Sequence, residues 1–168
     1  MEKNIVLIGM PGVGKSTAGV ILAKVLGYQF VDVDLVIQQT DGRLLSEIIE
    51  QDGVDGFLSI ENRINASLEV EKSVISTGGS VIYGEEAMKH LSEIGTIVYL
   101  ELPYRSISRR LNNIKSRGVA LKEGQTLKDL YNERVPLYEK YADITIAEQG
   151  LGIEQTVLRI IEEINKQK

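Results

Sequence analysis

The chain has no cysteine. Disulfides and thiolate metal sites are therefore excluded. It has one histidine, His90, on a stretch that reads as a surface helix, and no catalytic role is expected of it. No apolar run approaches the ~18 residues of a membrane span, so no membrane partner is expected. Basic charge is scarce: 19 Lys and Arg stand against 24 Asp and Glu, a net charge of -5. That balance argues against a nucleic-acid partner. The N-terminus, Met1-Glu2-Lys3-Asn4, runs straight into a strand and leaves no room for a signal peptide. A cytoplasmic protein is the expectation. Hydrophobic residues make up 43% and charged residues 26% of 168, which fits one globular domain over residues 1–168. A monomer is expected.

What is present centres on Gly9-Met10-Pro11-Gly12-Val13-Gly14-Lys15-Ser16. It lies between an apolar run at residues 5–8 and a helical pattern starting near Lys15. Glycines let the backbone curl so that successive N–H groups point at phosphate oxygens. The helix that follows adds free N–H groups and the positive end of its dipole. Lys15 places a charge on the β- and γ-phosphates, and the Ser16 hydroxyl can ligate Mg²⁺. Gly12, Val13, Gly14, Lys15, Ser16 and Thr17 are thus read as the nucleotide-binding segment, with ATP and Mg²⁺ as the cofactors. A plain glycine-rich turn would need neither the lysine nor the hydroxyl at this spacing.

Apolar runs alternate with amphipathic helical stretches along the rest of the chain, the pattern of an α/β fold with a parallel sheet. Strands are expected at residues 5–8, 30–33, 73–76, 96–102 and 144–147. Helices are expected at 15–26, from 35, at 44–49 and 57–70 with a break at Asp52-Gly53, at 85–94, after Pro103, at 127–141 and at 153–164. Pro136 is expected to interrupt or restart its helix. The stripe Ile153, Val157, Ile160, Ile161 and Ile164 reads as a face docked on the sheet. Five strands with helical crossovers predict a three-layer α/β/α sandwich around a five-stranded parallel sheet. Ligands in such sheets sit beyond the C-terminal ends of the strands.

Polar residues at those ends are therefore candidates. Asp32 and Asp34 close the second strand. Asp32 suits Mg²⁺ through water, and Asp34 suits an acceptor hydroxyl. Asp34 could instead cap the helix that follows. The phosphate loop at the neighbouring strand end favours the site. Thr77-Gly78-Gly79 closes the third strand, where glycines allow close backbone approach, although a simple turn would look the same. Residues 116–126 hold Gly118 and Gly124 and read as a loop able to close over the triphosphate and bring Arg117 to the transferring phosphate. The planar fork of Arg134 suits a substrate carboxylate.

Together these residues resemble the shikimate kinases over nearly the whole chain. The resemblance rests on Gly9 to Thr17 with Pro11, Asp32-x-Asp34, Thr40-Asp41-Gly42-Arg43, and Asp52-Gly53 followed by Phe57 and Glu61. It continues through Gly78-Gly79, Arg110 with Arg117, and Arg134-x-Pro136-Leu137-Tyr138. It implies a P-loop NTPase fold of the adenylate-kinase-like type, a substrate-binding helical region at about residues 34–62, and a lid at about 112–124. It implies ATP- and Mg²⁺-dependent phosphorylation of the shikimate 3-hydroxyl. By position, Asp34 would meet the substrate hydroxyls and act as base, and Asp32 would sit on the metal side. Gly78 and Gly79 would line the substrate. Arg110 would stack on adenine, Arg117 would be the lid arginine, and Arg134 would hold the substrate carboxylate.

Three positions depart from the family pattern. Leu58 and Ser59 follow Phe57, where the family has an arginine that pairs with the substrate carboxylate. Its third glycine is Ser80, and its lid Arg-Pro-Leu-Leu is Arg117-Gly118-Val119-Ala120. Loss of one charge-assisted partner costs on the order of 1.5–3 kcal/mol, about ten- to a hundredfold in affinity. Arg63, five residues on, lies on another helical face, which leaves Ser59 and Asn62 as expected neutral donors. The acceptor is then shikimate or another small hydroxy acid. Two rivals follow: a kinase of the same fold acting on a gluconate-like sugar acid, and a nucleotide-binding regulatory protein without catalysis. A nucleoside monophosphate kinase is weaker, because the chain is short and has no arginine-rich lid.

Overall fold

The computed structural model describes residues 3–111 and 118–167. Five strands form one sheet: β1 (Asn4–Ile8), β2 (Gln29–Asp32), β3 (Ser73–Ser76), β4 (Gly95–Glu101) and β5 (Ile144–Ala147). Their order is β2-β3-β1-β4-β5, and every neighbouring pair is parallel. The helices are α1 (Lys15–Leu26), α2 (Val33–Asp41), α3 (Leu45–Ala66), α4 (Glu85–Ile94), α5 (Tyr104–Arg110), α6 (Leu127–Tyr141) and α7 (Ile153–Lys166). Right-handed crossovers put α1 on one face, because the chain moves from β1 to the β2 edge. They put α3 and α4 on the other, because the later crossovers run the opposite way. The packing agrees: α1 lies against α7, and α3 against α4. The expected three-layer sandwich with its parallel sheet is what the chain adopts.

Two-sided burial explains the unbroken apolar strands. Every residue of β1 and β3 is buried. The one side-chain amide in those two strands, Asn4, is fully matched. It donates to the Val70 and Ile94 carbonyls at 2.8 and 3.1 Å and accepts the Ser73 N–H at 2.9 Å. The α7 stripe docks as expected, with Val157 and Ile160 buried and Ile153, Ile161 and Ile164 packed against the core. Among the described residues no helix is long and apolar enough to cross a membrane.

The break expected at Asp52-Gly53 is present: residues 45–66 are two helical stretches joined at a kink, where Gly53 leaves the helical region at φ 75° and ψ 176°. Two local readings differ from expectation. α2 starts at Val33, two residues early, because Asp32 provides the cap. Pro136 lies inside an unbroken α6. That helix gives up one backbone bond at the ring but is fastened at its start by a Thr126–Asp129 capping box and along one face by buried Leu130, Arg134 and Tyr138.

Candidate active site

The phosphate loop joins β1 to α1. Gly14, at φ 94°, is the N-cap, and no side chain occupies the first-turn N–H groups. Those donors, with the helix dipole, are free for an anion. Lys15 is buried, and its Nζ donates to the carbonyls of Gly9 at 2.7 Å and Met10 at 3.0 Å. Burial pulls its pKa down to about 8, against the attraction of Asp34. Ser16 and Thr17 stand exposed at the first turn. Arg110, the last residue of α5, donates from Nη1 to the Gly12 carbonyl at 3.0 Å and is otherwise exposed. Its guanidinium is therefore held beside the loop.

Sheet register brings the metal candidates together. Ser76 on β3 pairs with both Leu7 of β1 and Asp32 of β2. The Ser16 hydroxyl lies 3.3 Å from Asp32 Oδ2 and 3.2 Å from Ser76 Oγ. One carboxylate and one hydroxyl beside an anion cradle fit Mg²⁺, which keeps most of its waters and takes phosphate oxygens as ligands. Among the described residues no group of three or more His, Cys, Asp or Glu is placed to cage a metal.

Asp34 is not the helix cap. Asp32 holds that post, accepting the N–H groups of Asp34 at 3.0 Å and Leu35 at 3.4 Å. The Asp34 side chain is thereby left for the cavity. Burial raises its pKa, and the Asp32 carboxylate adds to the rise while Lys15 opposes it.

Glycines after β3 make the convergence possible. A Cβ on Gly78 would lie 2.6 Å from Glu61 Oε2 and 3.0 Å from Asp34 Oδ1. One on Gly79 would lie 2.9 Å from Arg134 Nη1 and 2.8 Å from Pro11 Cδ. Asp34, Glu61 and Arg134 thus press on one short stretch of bare backbone. They line a small cavity of about 40 Å³ with Pro11 and Phe57.

Arg134 and Tyr138 share a face of α6, one turn apart. Tyr138 stacks on Tyr99 at 5.1 Å and donates to the Gly79 carbonyl at 2.5 Å. Arg134 is 1% exposed. Its guanidinium lies 5.5 Å from the Tyr83 ring, Nη2 reaches the Ala120 carbonyl at 3.4 Å, and Nε has no partner. It forms no ion pair among the described residues. A buried, unpaired guanidinium is costly unless an anion meets it.

Residues Gly118, Val119 and Ala120 also line this cavity, so part of the expected lid lies over it. Arg117 and the rest of 112–117 lie outside the described residues. Leu58 packs against the hydrophobic core. The expected neutral donors are not at the site: Ser59 is exposed, and Asn62 accepts the Ala87 N–H at 2.9 Å. Arg63 is exposed too. Glu61 and Ser80 are the polar residues for which sequence reading assigned no role. Glu61 had a visible signal, an acid on the buried face of α3 with Phe57, Ile64 and Asn65.

The shikimate kinase family model matches residues 11–165. The chain belongs to the shikimate kinase family. Within it, a shikimate kinase of Thermodesulfovibrio yellowstonii is 40% identical over 98% of this chain and 96% of that protein. One from Persephonella marina is 34% identical over 95% and 97%. A solved shikimate kinase from Acinetobacter baumannii, in complex with shikimate, superposes with a TM-score of 0.91 at 32% identity, covering 100% of this chain and 96% of that one.

Proposed function

We propose that the protein is a shikimate kinase that transfers the γ-phosphoryl group of ATP to the 3-hydroxyl of shikimate. The observation that carries this reading is the position of Asp34. Its charge attracts that of Lys15 in the phosphate loop, and its side chain lines one cavity with Gly78, Glu61 and Arg134. A hydroxyl directed by Asp34 therefore faces the end of a triphosphate held by residues 9–17.

The roles follow. Arg134 binds the acceptor's carboxylate, and Gly78 and Gly79 let the acceptor lie against backbone. Asp34 orients the hydroxyl and takes its proton as the new P–O bond forms and the bond to the β,γ-bridging oxygen breaks. Lys15 stabilises charge on the transferring group, and Arg110 covers the adenine. Arg117 is proposed, on sequence alone, to reach the same phosphate from the lid. Ser16, and Asp32 through water, would hold Mg²⁺, which neutralises phosphate charge when bound.

The shikimate kinase relatives favour shikimate over a sugar acid, and an ionisable Asp34 aimed into the cavity favours catalysis over nucleotide sensing. A coupled assay of ADP release with shikimate, gluconate and no acceptor tests this. Turnover is expected with shikimate. Turnover with gluconate alone, or with neither, would overturn the reading.

A further inference from the structure

One buried carboxyl at the acceptor end of the cavity has no part in the transfer just described. Glu61 projects from α3 and is 1% exposed. Its Oε1 accepts the Ser80 hydroxyl at 2.6 Å. Its Oε2 is buried without a partner and borders the cavity at Gly78. The titratable groups that face it are Asp34 from α2, Lys15 from α1, and Arg134 and Tyr138 from α6. Burial raises its pKa to about 7, Asp34 adds to the rise, and the Ser80 hydrogen bond, Arg134 and Lys15 oppose it.

An acid acceptor brings a negative charge to Arg134. An ionised Glu61 in the same cavity would repel that charge, and a low-dielectric site magnifies the repulsion. A neutral Glu61 removes it and adds a donor. Because Ser80 donates to Oε1, the proton belongs on Oε2, the oxygen that lacks a partner.

We propose that Glu61 enters the acceptor complex as a neutral acid, donating from Oε2 to the acceptor's carboxylate beside Arg134, so that binding takes up one proton. Ser80 is the positioning residue for that donor. The inference rests on the reading of this cavity as the site of a hydroxy acid.

Calorimetry of shikimate binding to the whole protein, in buffers of differing ionisation enthalpy, tests it. Near pH 8, uptake close to one proton per acceptor is expected. Affinity should fall about tenfold between about pH 7.5 and 8.5, the slope of a single linked proton. Glu61→Gln keeps a neutral donor and cannot titrate, so uptake and slope should both vanish. Ser80→Ala removes a bond that favours the charged form, so the pH midpoint of binding should move up; this checks the idea even if the glutamine variant misfolds. Binding by wild type without proton uptake, or an unchanged slope in Glu61→Gln, overturns the proposal. Absence of any acceptor heat overturns the functional reading and the proposal together.

Discussion

Asp32 accepts the backbone N–H of Asp34 at 3.0 Å while its other oxygen lies 3.3 Å from the Ser16 hydroxyl. One carboxylate thus starts a helix and faces the proposed metal position. The two tasks separate by substitution. Asp32→Asn keeps a good cap, so thermal stability should stay near wild type while the Mg²⁺ concentration needed for half-maximal rate rises. Asp32→Ala should also lose the cap, about 1 kcal/mol, which lowers Tm by about 2–4 °C. Melting curves beside Mg²⁺ titrations check this; equal melting of both variants would refute the capping account.

Asp34→Asn has a different signature because Asp34 caps nothing. Stability should be kept or rise, since a buried charge is removed. ATP binding should persist, while kcat should fall by about 10²–10⁴ for loss of a general base. As the proposed base, Asp34 works only when ionised, and burial beside Asp32 raises its pKa. The acid limb of the rate profile should therefore lie above the ordinary aspartate range. Wild-type turnover by the asparagine variant would remove Asp34 from the mechanism.

Lys15 rests on the Gly9 and Met10 carbonyls, ready to turn to phosphate. Lys15→Ala should cost at least about 10² in kcat, the scale of one lost charge-stabilising donor. Single-turnover rates at saturating ATP measure it, and an unchanged rate would rule out a catalytic role.

Much of this site was legible in the sequence because its parts are local. The phosphate loop, the carboxylates after β2 and the glycines after β3 each sit at a strand end, where hydrophobic pattern and glycine placement mark the spot. What was not legible depends on distant segments meeting. Whether Asp32 or Asp34 caps α2 is a matter of which φ/ψ the junction adopts. The Glu61–Ser80 pair joins residues 19 apart across a helix and a loop. Pro136 misled because tertiary anchoring by Arg134 and Tyr138 outweighs the missing bond of the ring.

Gly78→Ala tests how closely Asp34 and Glu61 crowd the backbone after β3. Gly78 is not at positive φ, so an alanine is acceptable to the backbone. Its Cβ would instead meet Glu61 Oε2 at 2.6 Å and Asp34 Oδ1 at 3.0 Å. Overpacking of this kind costs about 1–3 kcal/mol. The acceptor KM should rise by about tenfold or more, with the KM for ATP unchanged. Equal effects on both substrates would mean that the phosphate loop, not the acceptor cavity, is disturbed.

Glu148 gives the last test, one of stability against pH. It follows β5, its N–H bonds the Glu101 carbonyl at 3.0 Å, and its Oε2 is buried without a partner. Burial raises its pKa to about 7, more than Arg110, the Thr156 hydroxyl and Lys15 lower it. The ordinary value is 4.5. Between the two, the folded state holds a proton that the unfolded chain has released, so stability falls as pH rises through that window. Above it, the folded protein carries the full cost of a buried charge. Glu148→Gln mimics the neutral acid, so it should melt higher than wild type at about pH 8, with the gap closing towards about pH 5. A variant that melts lower at about pH 8 would show that attraction to Arg110 outweighs burial, and that Glu148 serves the nucleotide side as an ion.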